Sequence, residues 1–322
     1  MSRCSRFSCL IVLSLTLNCS DITSAQHFPN KPVRVVTAET GGGPDFVARL
    51  IAQNLTVSLG QQVIVENRGG SGIIPAQLVA QALPDGYTLL LYSSALWLLP
   101  FMRDNVPYDA VRDFSPVTLA VSSPNILVIH PSIAANSVKD WIALAKSRPG
   151  ELNYSSGVSG SSAHLAAELF KSMAGVNLVR IPYKGSAPAL TALLANEVQT
   201  MFAIASGVPP HIKSGRLRAL AVTSAQPSAL FPGMPTIAAS GLPGYDSVLV
   251  LGIYAPARTS SALIRRLNQE IVGVLRRADV SEKFLSAGVE TVASSPEQLV
   301  AAVKSDMARW GKIIRDAGIR AE

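Results

Sequence analysis

Cysteine is almost missing from this chain of 322 residues. All three cysteines (Cys4, Cys9 and Cys19) fall in the first 19 positions. From Gln26 onward there is no thiol for a disulfide, a thiolate nucleophile or a metal site. Histidine is scarce too: His27, His130, His164 and His211 stand far apart, with neither an H-x3-H nor an H-E-x-x-H spacing, which argues against metal binding. Charged residues make up only 15% and aromatics 6%. The charges are dispersed and form no Lys/Arg block, so no nucleic-acid partner is expected. Beyond the N-terminal segment no apolar run reaches the ~18 residues of a membrane span. Gly 23 and Pro 21 follow no fixed period, which excludes fibrous classes.

What is present is a large apolar fraction, 48%, with a mean hydropathy of +0.30. Such a chain is not disordered, and its length suits about two domains. The net charge of +7 is compatible with a small anionic ligand.

The N-terminus has a basic start (Arg3, Arg6), an apolar run over Phe7–Leu17 and a small-residue exit, Thr23-Ser24-Ala25. This pattern predicts a secretory signal over residues 1–25, cleaved before Gln26, and hence a periplasmic protein. As a membrane anchor the run is too short to cross ~30 Å of hydrocarbon. As a lipoprotein, with lipid at Cys19, the chain has a poor lipobox in Thr16-Leu17-Asn18.

Short β-branched runs then alternate with helical periods. Strands are expected at Val33–Ala38, Gln62–Glu66, Tyr87–Tyr92, Ile126–His130, Asn153–Ser156, Leu178–Pro182, Val198–Ile204 and Leu217–Thr223. Helices are expected near Asp45–Ser58, Ile74–Ala82, Val138–Ser147, Ser162–Ala174 and Ala187–Leu194. Alternating βα units predict an α/β fold with parallel sheets covered by helices. A C-terminal helix is marked by Ser295 as cap, Pro296 in the first turn and Gly318 at the end. Leu299, Val303, Met307, Trp310 and Ile314 form its one apolar face. Ser122-Ser123-Pro124-Asn125 before Ile126–Ile129, and Gly241-Leu242-Pro243-Gly244 before Val248–Tyr254, read as two crossovers. They predict a discontinuous first domain, 26–124 with 252–322, around a second domain, 125–251.

Two loops carry anion-binding chemistry. Thr40-Gly41-Gly42-Gly43-Pro44-Asp45 follows the first strand and opens a helix, where unpaired N–H groups and positive potential meet. The alternative is a tight turn with Pro44 and Asp45 serving the helix start. It completes neither a dinucleotide fingerprint nor a P-loop. The second loop, Ser155–His164, sets Ser156, Ser159, Ser161 and Ser162 before another helix; there, hydroxyls and N–H groups suit a carboxylate. Its alternative is a loop with Ser161 or Ser162 as N-cap. A serine hydrolase using Ser159 or Ser161 with His164 is the rival class. However, Gly157-Val158-Ser159-Gly160-Ser161 fails the G-x-S-x-G elbow at its last position, and no orienting acid is marked. Arg68-Gly69-Gly70-Ser71-Gly72 and Pro84-Asp85-Gly86-Tyr87 read as structural turns.

Taken together, several motifs resemble one family. They are Gly41–Arg49, Val65–Arg68, Pro84–Leu90, Tyr183–Thr191, His211–Val222 and Gly241–Tyr245. In this order they are similar to the Bug family of periplasmic solute receptors, the extracytoplasmic component of tripartite tricarboxylate transporters, over essentially the whole chain after the signal. The resemblance implies a type II periplasmic-binding-protein fold, two α/β domains closing on a small organic carboxylate, with no cofactor and no enzymatic activity. It implies delivery to membrane transport subunits, or to a sensor protein, by a monomer. By position, the ligand-binding residues it implies are Thr40, Gly41, Gly42, Gly43 and Asp45 in the first loop, and Ser93 and Ser94 as a further wall. In the second domain they are Ser156, Ser159, Ser161, Ser162 and His164, with Ala203 where the family often has Asp. Thr37-Ala38-Glu39 replaces the family's frequent Pro-aromatic pair, and Pro44 a frequent Thr. These departures imply a wider, more neutral pocket, to which Glu39 restores one negative charge.

Overall fold

The computed structural model describes residues 28–38, 40, 43–68, 73–157 and 159–321. The expected signal segment, Glu39, Gly41 and Gly42 lie outside the described residues. The strands in chain order are β1 (Val33–Thr37), β2 (Val63–Asn67), β3 (Thr88–Ser93), β4 (Phe114–Ile129) and β5 (Asn153–Ser156). They continue with β6 (Val179–Pro182), β7 (Thr200–Ile204), β8 (Arg218–Val222), β9 (Val248–Pro256) and β10 (Glu290–Thr291). The helices are α1 (Gly43–Leu59), α2 (Ile73–Ala80), α3 (Ala95–Met102), α4 (Val138–Ser147) and α5 (Ser162–Ala174). After them come α6 (Ser186–Leu194), α7 (Pro209–Lys213), α8 (Ser261–Leu275), α9 (Ala278–Ser286) and α10 (Pro296–Asp316).

The strand order is β2-β1-β3-β9-β4-β7-β5-β6, with β10 and β8 also on β4. The long strand β4 belongs to two sheets. Residues from Phe114 to Pro124 pair with β9. From Asn125 to Ile129 the strand pairs with β7, and from Ile126 with β8. The sheets are parallel as expected only on their flanks, at β1–β2, β1–β3, β5–β6 and β5–β7. Their centre is antiparallel, at β3–β9, β4–β9 and β4–β7, which corrects the all-parallel reading. The reason is topological: β4 carries the chain out of one sheet and β9 carries it back, so the two must run in opposite directions.

That junction is stapled. The Asn125 N–H donates to Thr223 Oγ1 at 2.8 Å, and the Thr223 N–H donates to the Asn125 carbonyl at 3.0 Å. The Ser247 N–H, just before β9, donates to the Thr223 carbonyl at 2.9 Å. Both connections between the sheets are thus held to one threonine. The largest apolar cluster joins side chains from both sides of the junction, among them Trp97, Trp141, Phe170, Tyr245 and Trp310. A Cβ built on Gly160, ahead of α5, would lie 2.7 Å from Met102 Sδ at the end of α3, so the two halves meet closely there.

The C-terminal helix forms for the reasons visible in its sequence. Ser295 Oγ accepts from the Gln298 N–H, and Gln298 Oε1 accepts from the Ser295 N–H, a reciprocal cap. Leu299, Val303, Trp310 and Ile314 are buried and Met307 partly so. At the far end Gly318, at φ 62, lets the Ile319 N–H reach back to the Ile314 carbonyl. Ser295→Ala should cost about 1 kcal/mol. In urea this should appear as a lower midpoint with an unchanged slope. A midpoint equal to wild type would show that packing alone holds the helix. Among the described residues, no helix is long and apolar enough to cross a membrane.

Candidate functional site

The loop between β5 and α5 is built around one arginine. Tyr154 of β5 pairs with Arg180 of β6, which sets that guanidinium beside the strand end. Its Nε donates to Ser156 Oγ at 2.8 Å, one terminal nitrogen to Ser159 Oγ at 3.0 Å, and the other to the Gly157 carbonyl at 2.8 Å. All three acceptors are neutral. Among the described residues no Asp or Glu comes within ion-pair distance of Arg180, whereas nearby Glu168 is taken by Lys171 at 2.8 Å and by the Tyr154 hydroxyl at 2.6 Å. A half-buried positive charge therefore stands directly behind the serine loop without a counter-ion.

The loop then turns into α5. Ser161 is the N-cap, its Oγ accepting from the His164 N–H. The N–H groups of Ser162 and Ala163 begin the helix and have no intrahelical acceptor. Helix dipole and Arg180 thus place positive potential on the same spot. His164 is buried, and its Nδ1 accepts from the Gly160 N–H at 3.1 Å. Burial first, and then Arg180, pull its pKa down from 6.5 to about 4, against an upward pull from Glu168. The ring is neutral at physiological pH and serves to shape the loop. Its loop-facing nitrogen is engaged by a backbone N–H and not by the Ser159 or Ser161 hydroxyls, which are held by Arg180 and by the helix cap.

Asn125 completes this group. It is 1% exposed, and its Oδ1 lies 3.4 Å from Ser162 Oγ at the first turn of α5. Its Nδ2 is buried without a hydrogen-bond partner among the described residues.

The first loop is arranged differently. Asp45, in the first turn of α1, is buried; its Oδ1 receives Arg49 Nε at 2.9 Å and Asn67 Nδ2 at 2.9 Å. Asn67 also donates to the Ala38 carbonyl, and Thr37 Oγ1 to the Leu91 carbonyl. The Asp45 carboxylate is therefore committed to fastening the loop. Thr40 and Gly43 are exposed beside it. Ser93 ends β3 with its Oγ accepting from the Ala95 N–H, and Ser94 stands at the start of α3 without capping it through its side chain. Ala203 lies in the apolar cluster with Ile126 and Val128, and it pairs with Ile126, the residue after Asn125.

The structure thus brings Ser156, Ser159, Ser161, Ser162 and His164 together. It adds Arg180 and Asn125, which the sequence reading passed over. Asn125 is visible in retrospect as the lone polar residue against the apolar run of a crossover. Arg180 has no comparable local signal, because its role depends on the pairing of β6 with β5.

Comparison with known proteins shows the family and the fold. Residues 47–319 match the family described as "Tripartite tricarboxylate transporter family receptor". Protein BugT of Bordetella pertussis is 36% identical, with 92% of each chain covered. Among solved structures, R. palustris Rpa4515 with adipate is 36% identical, with a TM-score of 0.76, covering 91% of this chain and 99% of that one. MatC from Rhodopseudomonas palustris with bound malate is 27% identical, with a TM-score of 0.71, covering 89% and 100%. Their fold is the two-lobed α/β architecture of periplasmic binding proteins, and the chain described here belongs to the Bug family of periplasmic solute receptors, the receptors of tripartite tricarboxylate transporters.

Proposed function

We propose that this protein binds a small organic carboxylate at the N-terminus of α5 and delivers it to tripartite transport subunits in the membrane. The observation that carries this reading is the uncompensated Arg180 behind a loop of hydroxyls and open helix N–H groups. An anion there gains hydrogen bonds and positive potential without protonation or a metal. Adipate in Rpa4515 and malate in MatC support the ligand class. The Thr40–Asp45 loop and Ser93–Ser94 form the opposing wall of the cleft in this reading, and closure of the lobes excludes water from it. The sequence places the lobes at 26–124 with 252–322, and 125–251. The break in strand pairing at Pro124 and Asn125 supports the first crossing, whereas β9 already pairs with β4 from Val248, which moves the second crossing from 251 to the residues just before Val248. The protein acts as a monomer in the periplasm, after loss of residues 1–25, and catalyses no reaction.

Native mass spectrometry of protein purified from the periplasm tests this directly. A chain starting at Gln26 and carrying an organic acid is expected, and a panel of mono- and dicarboxylates including adipate and malate should give a saturable calorimetric response. Protein that retains no acid and answers no member of the panel would overturn the reading.

A further inference from the structure

A buried amide N–H without an acceptor is rare in folded proteins, because water lost from it must be replaced by something. Asn125 presents such a group, fully buried, beside the open first turn of α5. The backbone of Asn125 cannot drift to relieve it, since its N–H and carbonyl are both held by Thr223. Turning the amide over would hand the N–H to Ser162 Oγ but leave the amide oxygen buried without a donor, so one end of the amide lacks a protein partner either way.

We propose that Asn125 is a ligand-contacting residue and that its Nδ2 donates to one oxygen of the bound carboxylate while the first N–H groups of α5 take the other. This rests on the receptor reading above and sharpens it. The subsite accepts a deprotonated carboxylate, because an amide N–H and helix N–H groups are all donors and none can accept from an acid proton or an ammonium group. It also places the ligand against β4 at the point where that strand leaves one sheet for the other, so the occupant touches the junction of the lobes themselves. Sequence-distant Ser162 and Asn125 are joined at this one place.

The test uses full-length mature protein, calorimetry and thermal melts, with adipate, malate and acetate as probes. Asn125→Ala removes the donor and should weaken the probe that wild type binds best by about tenfold, the usual size for losing a hydrogen bond to a charged group. Asn125→Asp keeps the shape but aims a carboxylate at the ligand, and should weaken binding by about fiftyfold. A carboxylate at this buried position costs desolvation that the helix N-terminus offsets only in part, so the melting temperature of Asn125→Asp without probe should fall. Asn125→Ala removes a donor that has no acceptor, so its melting temperature should stay close to wild type, and its lost affinity with kept stability separates ligand contact from a merely structural role. If both variants bind within twofold of wild type, the inference is overturned and the receptor reading stands. If wild type binds none of the three probes and retains no acid after purification, the receptor reading falls and this inference falls with it.

Discussion

Arg180→Met is expected to weaken carboxylate binding by about a hundredfold or more while leaving the fold intact. Two effects add. The guanidinium holds Ser156 Oγ, Ser159 Oγ and the Gly157 carbonyl, so its loss frees the loop that must present donors to the ligand. It also removes a half-buried charge that no carboxylate among the described residues pairs with; at an effective dielectric of about 20 and a separation of about 7 Å that charge is worth about 2 kcal/mol to an anion. With the hydrogen bonds, the total comes to about 3 kcal/mol, which is roughly two decades in affinity. Methionine matches the aliphatic stem, so β6 keeps its packing.

Arg180→Lys separates the two effects. Lysine keeps the charge but has no planar fork to reach three acceptors at once, so an intermediate loss of about tenfold is expected. Calorimetry with adipate and malate at low and high salt reads both. The wild-type advantage over Arg180→Met should shrink with added salt to the extent that it is coulombic. Binding of Arg180→Met within twofold of wild type would mean that the loop and the helix N-terminus hold the anion unaided.

Much of this architecture is legible in the residues themselves. Ser137 and Ser161 mark the starts of α4 and α5, and the strands at Val33, Asn153 and Thr200 fall inside the expected strand segments, because local caps and periodicity decide them. The part of β4 that pairs with β9, from Phe114 to Pro124, is not legible. Its Ser, Thr and Pro residues break the alternation, and the strand exists because β9 pairs with it across more than a hundred residues of sequence. Helix α3 is hidden for a different reason: Ala95-Leu96-Trp97-Leu98-Leu99 is apolar on every side, so burial erases the period that would reveal it. In the site, the serines stand out by composition. Arg180 gains its meaning only from the neighbour that sheet pairing gives it, and Asp45 shows the converse case. It sits in a motif that resembles a ligand loop, and its carboxylate is committed to Arg49 and Asn67.

Stability should fall as the pH is lowered from about 6.5 toward 4, and His164 should account for a separable part of the fall. In the unfolded chain the imidazole titrates near its ordinary 6.5, whereas in the folded protein burial, and next Arg180, hold it near 4. Between those values the unfolded chain binds a proton that the folded protein refuses. The folded state is therefore favoured fully above pH 6.5 and loses that advantage progressively down to about 4, below which both states are protonated. A displacement of this size is worth on the order of 3 kcal/mol across the window. Protonation has a local consequence as well. Nδ1 accepts from the Gly160 N–H, so a proton there ends that bond and loosens the turn that precedes α5. His164→Gln keeps an acceptor for Gly160 and cannot titrate. Urea unfolding at a series of pH values from 4 to 7.5 should show a steeper dependence in wild type than in His164→Gln, the difference being confined to the interval between the two pKa values. Arg180→Met should narrow that interval from below, since removing the neighbouring cation lets the folded imidazole accept a proton more readily. Parallel pH profiles for wild type and His164→Gln would show that the ring is not held neutral, and that the turn at Gly160 is supported by something else.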